Sequence, residues 1–190
     1  MNVYLKRTVF LFLIFISFSS CGKREQIISG KEKTEKTDSP LQSEFLIVEK
    51  VIDGDTFRMS DGEKVRLIGI DTPEKYDSDK LDRQSVESNR DKETIKRLGE
   101  AASEYVRALA EGKKVRLEKD KSNQDRDRYG RLLRYVYFED GTLLNAKIIS
   151  DGYANVYNSS SVSKLEEFKK LEKDARENKR GLWGNVDGLR

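Results

Sequence analysis

The sequence predicts an α+β domain, a small and partly open barrel of five β-strands with three α-helices packed against it. Five short runs rich in Val, Ile, Leu, Phe and Tyr, bounded by Gly, Asp and Ser turn signals, predict the strands. Three segments with apolar residues at helical spacing predict the helices. The first helix is inserted after the third strand, so the sheet is built from two groups of strands and the helices cover it from outside.

In order along the chain, residues 45–51, 56–59 and 64–70 read as strands, the last two joined by the hairpin signal Ser60-Asp61-Gly62-Glu63. Gly54 and Gly69 mark bends or bulges of a curved sheet. Leu98, Ala101, Ala102, Tyr105, Val106 and Leu109 stripe the first helix, which Gly112 stops. Residues 113–118 and 132–138 are the remaining strands, the second ending at Glu139-Asp140-Gly141. A short helix covers residues 143–150. Leu165, Phe168, Leu171 and Ala175 stripe the last one, closed by Gly181. Residues 75–96 are strongly charged with almost no apolar content, and read as a mobile loop bordering the site, or as disorder without a role.

Ahead of this domain, residues 1–21 have the form of an export signal: Lys6 and Arg7, an apolar run over residues 9–18, then Ser19, Ser20 and Cys21. The run is too short for a comfortable membrane span. Ser19-Ser20-Cys21 resembles the lipobox of bacterial lipoproteins, in which the cysteine is lipidated, with Phe18 where that motif usually has Leu. Cleavage after Ser19 is the alternative. Residues 22–43 are polar and charged, and read as a flexible tether. Residues 44–190 are then one domain.

Composition narrows the chemistry. The chain has no histidine and one cysteine, Cys21, so an imidazole base, a histidine zinc site, a Cys-His nucleophile and an internal disulfide are all excluded. The formal net charge of +3 falls to +1 without Lys6 and Arg7, so overall charge does not argue for a nucleic-acid partner.

What remains is carboxylates, arginines and a borrowed cation. Asp55 and Asp71 fall at adjoining strand ends, where their carboxylates converge on one cation. Oxygen-only ligands select Ca²⁺, Mg²⁺ or Mn²⁺, and the Thr72 carbonyl adds a further donor. Glu74 is spaced to deprotonate a metal-associated water. Arg66 offers a planar fork for phosphate, and Arg131, after Asp127-Arg128-Tyr129-Gly130, reaches the same phosphate from the next strand. Taken singly, each is most cheaply a turn or a surface ion pair. Their joint presence on one small barrel outlines a phosphodiesterase.

Ile52-Asp53-Gly54-Asp55-Thr56, Val65-Arg66-Leu67 through Asp71-Thr72-Pro73-Glu74, and Asp127-Arg128-Tyr129-Gly130-Arg131 resemble the three signature segments of the staphylococcal nuclease family. Leu143-Leu144-Asn145, Gly152-Tyr153-Ala154 and Gly181-Leu182-Trp183 resemble its C-terminal landmarks in order. The resemblance implies an OB-fold barrel and a Ca²⁺-dependent, sugar-nonspecific endonuclease that hydrolyses DNA and RNA to products ending in 3′-phosphate. It implies Asp55, Asp71 and the Thr72 carbonyl as calcium ligands, Glu74 as the water-activating base, and Arg66 and Arg131 on the scissile phosphate. Asp53 would act through water outside the direct metal contacts, and Arg128 and Tyr129 would bind substrate. The segment after Glu74 is longer than the usual loop and lacks a match to the family's phosphate-contacting lysines.

The expected partners are DNA, RNA and, through a lipidated Cys21, a membrane, with the protein acting outside the cytoplasm as a monomer. The alternative class is a catalytically silent OB-fold surface lipoprotein that binds nucleic acid or another partner, or holds Ca²⁺ for stability alone. Retention of Asp55, Arg66, Asp71, Glu74 and Arg131 together argues against it.

Overall fold

The computed structural model describes residues 45–158 and 161–184. The residues read as an export signal, Cys21 and those read as a tether lie outside the described residues.

In chain order the elements are β1 (Leu46–Asp53), β2 (Thr56–Met59), β3 (Lys64–Leu67), β4 (Ile70–Asp71), α1 (Asp79–Ser88), α2 (Lys92–Ala110), β5 (Lys114–Glu118), β6 (Leu132–Phe138), α3 (Leu144–Ser150), β7 (Asn155–Val156) and α4 (Leu165–Glu177), with a 3₁₀ turn at Gly181–Trp183. Five strands close into a barrel in the order β1-β2-β3-β6-β5, the five-stranded OB-fold arrangement. All neighbours are antiparallel except β3 and β6.

The barrel is closed rather than partly open. β1 has two register shifts against β2, between Val48 and Lys50 and between Val51 and Asp53. Such irregularities bend a strand and increase its twist, which lets β1 pair with β2 along most of its length and with β5 at Leu46 and Ile47. The Glu111 carboxylate accepts the Val51 N–H at 2.9 Å, satisfying a backbone donor at the irregularity.

The third predicted strand is two. It breaks at Gly69, whose φ of +77° disfavours residues with a Cβ, and β4 pairs with β7 instead of continuing in the barrel. Asn145, fully buried, bridges the break: it donates to the Ile68 carbonyl at 3.0 Å and accepts the Val136 N–H at 3.0 Å.

The segment expected to be a mobile loop is largely helical, which raises the helix count among the described residues to four. The Ser78 hydroxyl accepts the Leu81 N–H at 3.2 Å to cap α1, and Asp79 and Asp82 in its first turn favour the positive end of the helix dipole. Asp91 caps α2 through the Thr94 N–H at 2.8 Å, so α2 starts well before its apolar stripe. α1 buries only Leu81. A helix with one buried side chain has no apolar periodicity to read.

The core fills the barrel with Val48, Val51, Phe57, Met59, Val65, Leu67 and Tyr135, and continues under Val106 and Ala110 of α2, Ile148 and Ile149 of α3 and Phe168 of α4. Full burial of each larger apolar side chain contributes about 1.5–3 kcal/mol. That packing fixes the strand ends on which the polar cleft is built.

Candidate active site

Asp53, Asp55, Arg66, Asp71, Glu74, Arg128, Tyr129 and Arg131 all line one cleft. Thr72 lies buried behind it. The residues singled out in the sequence therefore converge, although they come from the end of β1, the β1–β2 turn, β3, β4, the segment after β4, and the turn before β6.

Asp55 sits in the β1–β2 turn. Gly54 beside it is required by a close approach, because a Cβ there would lie 2.7 Å from the Thr72 methyl carbon. That contact brings the turn against the end of β4. The Thr72 N–H and hydroxyl donate to Asp55 Oδ2 at 3.2 and 3.3 Å. Arg66 on β3 spans the two carboxylates: Nη1 meets Asp55 Oδ2, and Nη2 meets Asp71 Oδ1 at 3.0 Å. Its side chain is only 14% exposed.

Arg131 reaches the same place through Thr56, whose role composition gave no reason to suspect. Antiparallel register sets Thr56 opposite Arg66, and the parallel pairing of β3 with β6 sets Arg66 opposite Leu133, bringing the turn before β6 alongside. Arg131 Nη1 donates to Thr56 Oγ1 at 3.2 Å, and Thr56 Oγ1 donates to Asp55 Oδ1 at 3.1 Å. Arg131 is held in that pose by Asp127, which accepts from Nε and Nη2, each at 2.7 Å. Arg128 and Tyr129 form the rim, with Arg128 Nη2 donating to the Tyr129 hydroxyl at 2.6 Å and Tyr129 68% exposed.

Glu74 is fixed by its backbone. Gly99 of α2 admits it, since a Cβ there would come within 2.8 Å of the Glu74 carbonyl. Its N–H donates to Gln84 Oε1 at 2.8 Å, and its own Oε1 accepts the Lys75 N–H at 3.0 Å. Gln84 Nε2 also donates to Asp71 Oδ2 at 3.4 Å. Lys80, one helical turn earlier on α1, places Nζ 3.1 Å from Asp71 Oδ1 and 4.0 Å from Glu74 Oε2, and donates to the Thr72 carbonyl at 3.2 Å. Sequence reading missed Lys80 and Gln84 because it missed α1. Ser78 followed by acidic first-turn residues was the available signal.

The cluster's charges are unevenly held. Burial and then the neighbouring Asp55 charge push the Asp53 carboxyl up to about 7. Burial also pushes Asp55 up, but Arg66 foremost, then Lys80, outweigh it and hold Asp55 well below the ordinary carboxylate range. Burial raises Asp71 against the pull of Lys80 and Arg66. For Lys80, burial alone would lower the ammonium, yet Asp55 and Asp71 hold it above its usual value.

Among the described residues no three acidic, histidine or cysteine side chains come together closely enough to hold a metal on their own. The donor set read from the sequence does not call for three, since two carboxylates, a backbone carbonyl and water are suitable ligands for a hard cation. Lys80 tests the fit directly. Its single ammonium nitrogen is within hydrogen-bond reach of both Asp71 Oδ1 and the Thr72 carbonyl oxygen, so those two oxygens already converge on one cationic centre.

An OB-fold barrel whose cleft joins paired carboxylates, a third acidic group and two oriented guanidinium groups defines a hydrolase of the nuclease class. Residues 64–185 match the staphylococcal nuclease homologue family. The thermonuclease of Staphylococcus intermedius is 36% identical over 132 residues, covering 68% of this chain and 69% of that protein. An uncharacterized endonuclease of Escherichia coli is 33% identical over 143 residues, 74% of this chain and 77% of that one. Endonuclease YhcR of Bacillus subtilis is 30% identical over 151 residues, 75% of this chain but only 12% of that much longer protein. The chain belongs to the staphylococcal nuclease family.

Proposed function

We propose that this chain is a Ca²⁺-dependent, sugar-nonspecific endonuclease that hydrolyses DNA and RNA to products ending in 3′-phosphate, and that it acts outside the cytoplasm as a monomer, tethered by residues 22–43 to a lipidated Cys21. The observation that carries the catalytic part is convergence: Asp55, Arg66, Asp71, Glu74 and Arg131 line one cleft. The endonucleases and thermonucleases among its relatives support the reaction class. The signal-like residues 1–21 support export.

In this reading Asp55, Asp71 and the Thr72 carbonyl hold the cation, with Asp53 acting through water beyond them. Bound there, the ion supplies Lewis-acid polarisation of a phosphate oxygen and a more acidic water. Glu74 accepts the proton of the water that attacks phosphorus as the bond to the 5′-oxygen breaks, that oxygen leaving as a hydroxyl with a proton from solvent, and the Glu74 backbone is anchored to Gln84. Arg66 and Arg131 neutralise charge gathering on the phosphate oxygens in the transition state, Arg131 already oriented by Asp127. Tyr129 offers an exposed ring on which a base or sugar rests, with Arg128 beside it. Contacts confined to phosphate carry no sequence information, consistent with broad specificity.

Plasmid digestion by the full chain, with Ca²⁺ and with chelator, tests the assignment alongside Glu74→Ala and Arg131→Ala. The wild type is expected to cut only with Ca²⁺, and each variant to cut about a hundredfold more slowly or worse. Intact DNA at millimolar Ca²⁺, or variants as fast as the wild type, would refute the mechanism. Labelling cells with a clickable palmitate tests Cys21 separately.

A further inference from the structure

Lys80 stands on α1 against the oxygens that the calcium reading assigns to the metal. Its Nζ lies 3.1 Å from Asp71 Oδ1, donates to the Thr72 carbonyl at 3.2 Å and faces Glu74 Oε2 at 4.0 Å. Gln84, four residues later and hence on the same face of the helix, makes two more bonds to the site, accepting from the Glu74 N–H and donating to Asp71 Oδ2. The ammonium therefore does not hang into the cleft by chance. The face of α1 that carries it is pinned to the site by its neighbour, and by Leu81 beneath.

We propose that Lys80 is a built-in competitor for the metal position: its ammonium and a bound Ca²⁺ draw on the same two oxygens, so ion uptake proceeds by exchange with the Lys80 head group. The inference rests on the calcium reading above. Ca²⁺ takes oxygen ligands at about 2.3–2.6 Å, and a second positive charge held on both of those oxygens is strongly repelled; Arg66 meets only Asp71 Oδ1 of the two. Lys80 can yield without the helix leaving. Its side chain is 34% exposed, and its flexible stem carries the head group to water at small cost. Gln84 is uncharged, so its bonds to Glu74 and Asp71 do not oppose the ion and keep α1 docked during the exchange. Lys80 thus sets the Ca²⁺ concentration at which the site fills, and offsets the charge of Asp55 and Asp71 below that concentration.

Calorimetric titration of the full chain with Ca²⁺, together with thermal unfolding with and without Ca²⁺, reads this without any cleavage assay. Lys80→Met and Lys80→Gln are compared with the wild type, the second variant preserving a polar head group should the first fold poorly. Both are expected to bind Ca²⁺ about tenfold more tightly, to unfold at lower temperature than the wild type in chelator, and to gain more from added Ca²⁺. If the wild type binds Ca²⁺ and the variants bind it no more tightly, this inference alone falls. If neither the wild type nor the variants take up Ca²⁺, the calcium reading falls and takes this inference with it.

Discussion

The barrel wall of the cleft carries Asp55 and Arg66 among strands whose inward neighbours, Phe57, Val65 and Leu67, are buried, whereas the helical wall carries Lys80 and Gln84 on α1, which buries Leu81 alone. Arg66 is 14% exposed and bridges two carboxylates, while Lys80 is 34% exposed and shares one of them. Both walls meet at Asp71. A strand end in a closed barrel cannot move without disturbing packed neighbours. A capped helix with one buried side chain opens at far lower free energy. The two walls therefore divide the work: one holds charge in fixed geometry, and the other adjusts what faces it.

The largest expected effect comes from the rigid wall. Arg66→Met leaves Asp55 and Asp71 without the guanidinium between them, and breaking such a buried pair costs about 3–5 kcal/mol. The urea midpoint should fall accordingly, and DNA cleavage should drop about a hundredfold or more. An unchanged midpoint would show that Arg66 is held no more firmly than Lys80.

Leu81→Ala addresses the other wall and should cost about 2–3 kcal/mol, near the low end for a buried leucine because α1 can resettle. Hydrogen exchange distinguishes the outcomes. Amides of α1 should lose protection while those of β2 and β3 keep theirs; loss of both together would show that the walls unfold as one unit.

Asp120 ties β6 to the segment before α4, accepting from the Tyr135 hydroxyl at 2.6 Å and the Ser163 N–H at 2.7 Å. Burial pushes its carboxyl up, but hydrogen bonds from Ser163, Tyr135 and Ser122 outweigh that and hold it at about 2. Its folded value lies below the ordinary 3.8, so this stabilisation is present above about pH 4 and is lost as the pH falls through 2. Asp120→Asn should cost about 1–2 kcal/mol at pH 7 and close to nothing at pH 2, as followed by urea unfolding at each pH. A constant difference across that range would deny the linkage.

Gln84→Ala should give the smallest change. It removes two hydrogen bonds at the junction of the walls, costing about 1 kcal/mol in urea unfolding and slowing cleavage several-fold through a less fixed Glu74. A hundredfold slowing would instead place control of Glu74 on the helical wall.

The legibility of these features followed the same division. The barrel strands were readable because alternating burial writes itself into the sequence, as in the buried Phe57 and Met59 either side of the exposed Arg58. The break at Gly69 was visible as a bend, but the departure of β4 toward β7 depends on the register of Ile70 with Val156, far along the chain. α1 was hidden because its one buried side chain makes no stripe. Arg131 was expected at the phosphate, yet its route through Thr56 is a consequence of β2, β3 and β6 lying side by side.

By itself, the sequence determined the chemistry available: carboxylates and arginines in the absence of any histidine, at spacings that resemble one nuclease family, on strands whose hydrophobic alternation encodes a barrel. Which charges meet is set by packing. Arg66 between Asp55 and Asp71, Gly54 against Thr72, and Lys80 on the oxygens read as metal ligands are contacts across elements. They are set by barrel closure and by the docking of a capped helix, and local sequence pattern does not encode distances between segments that only packing brings together.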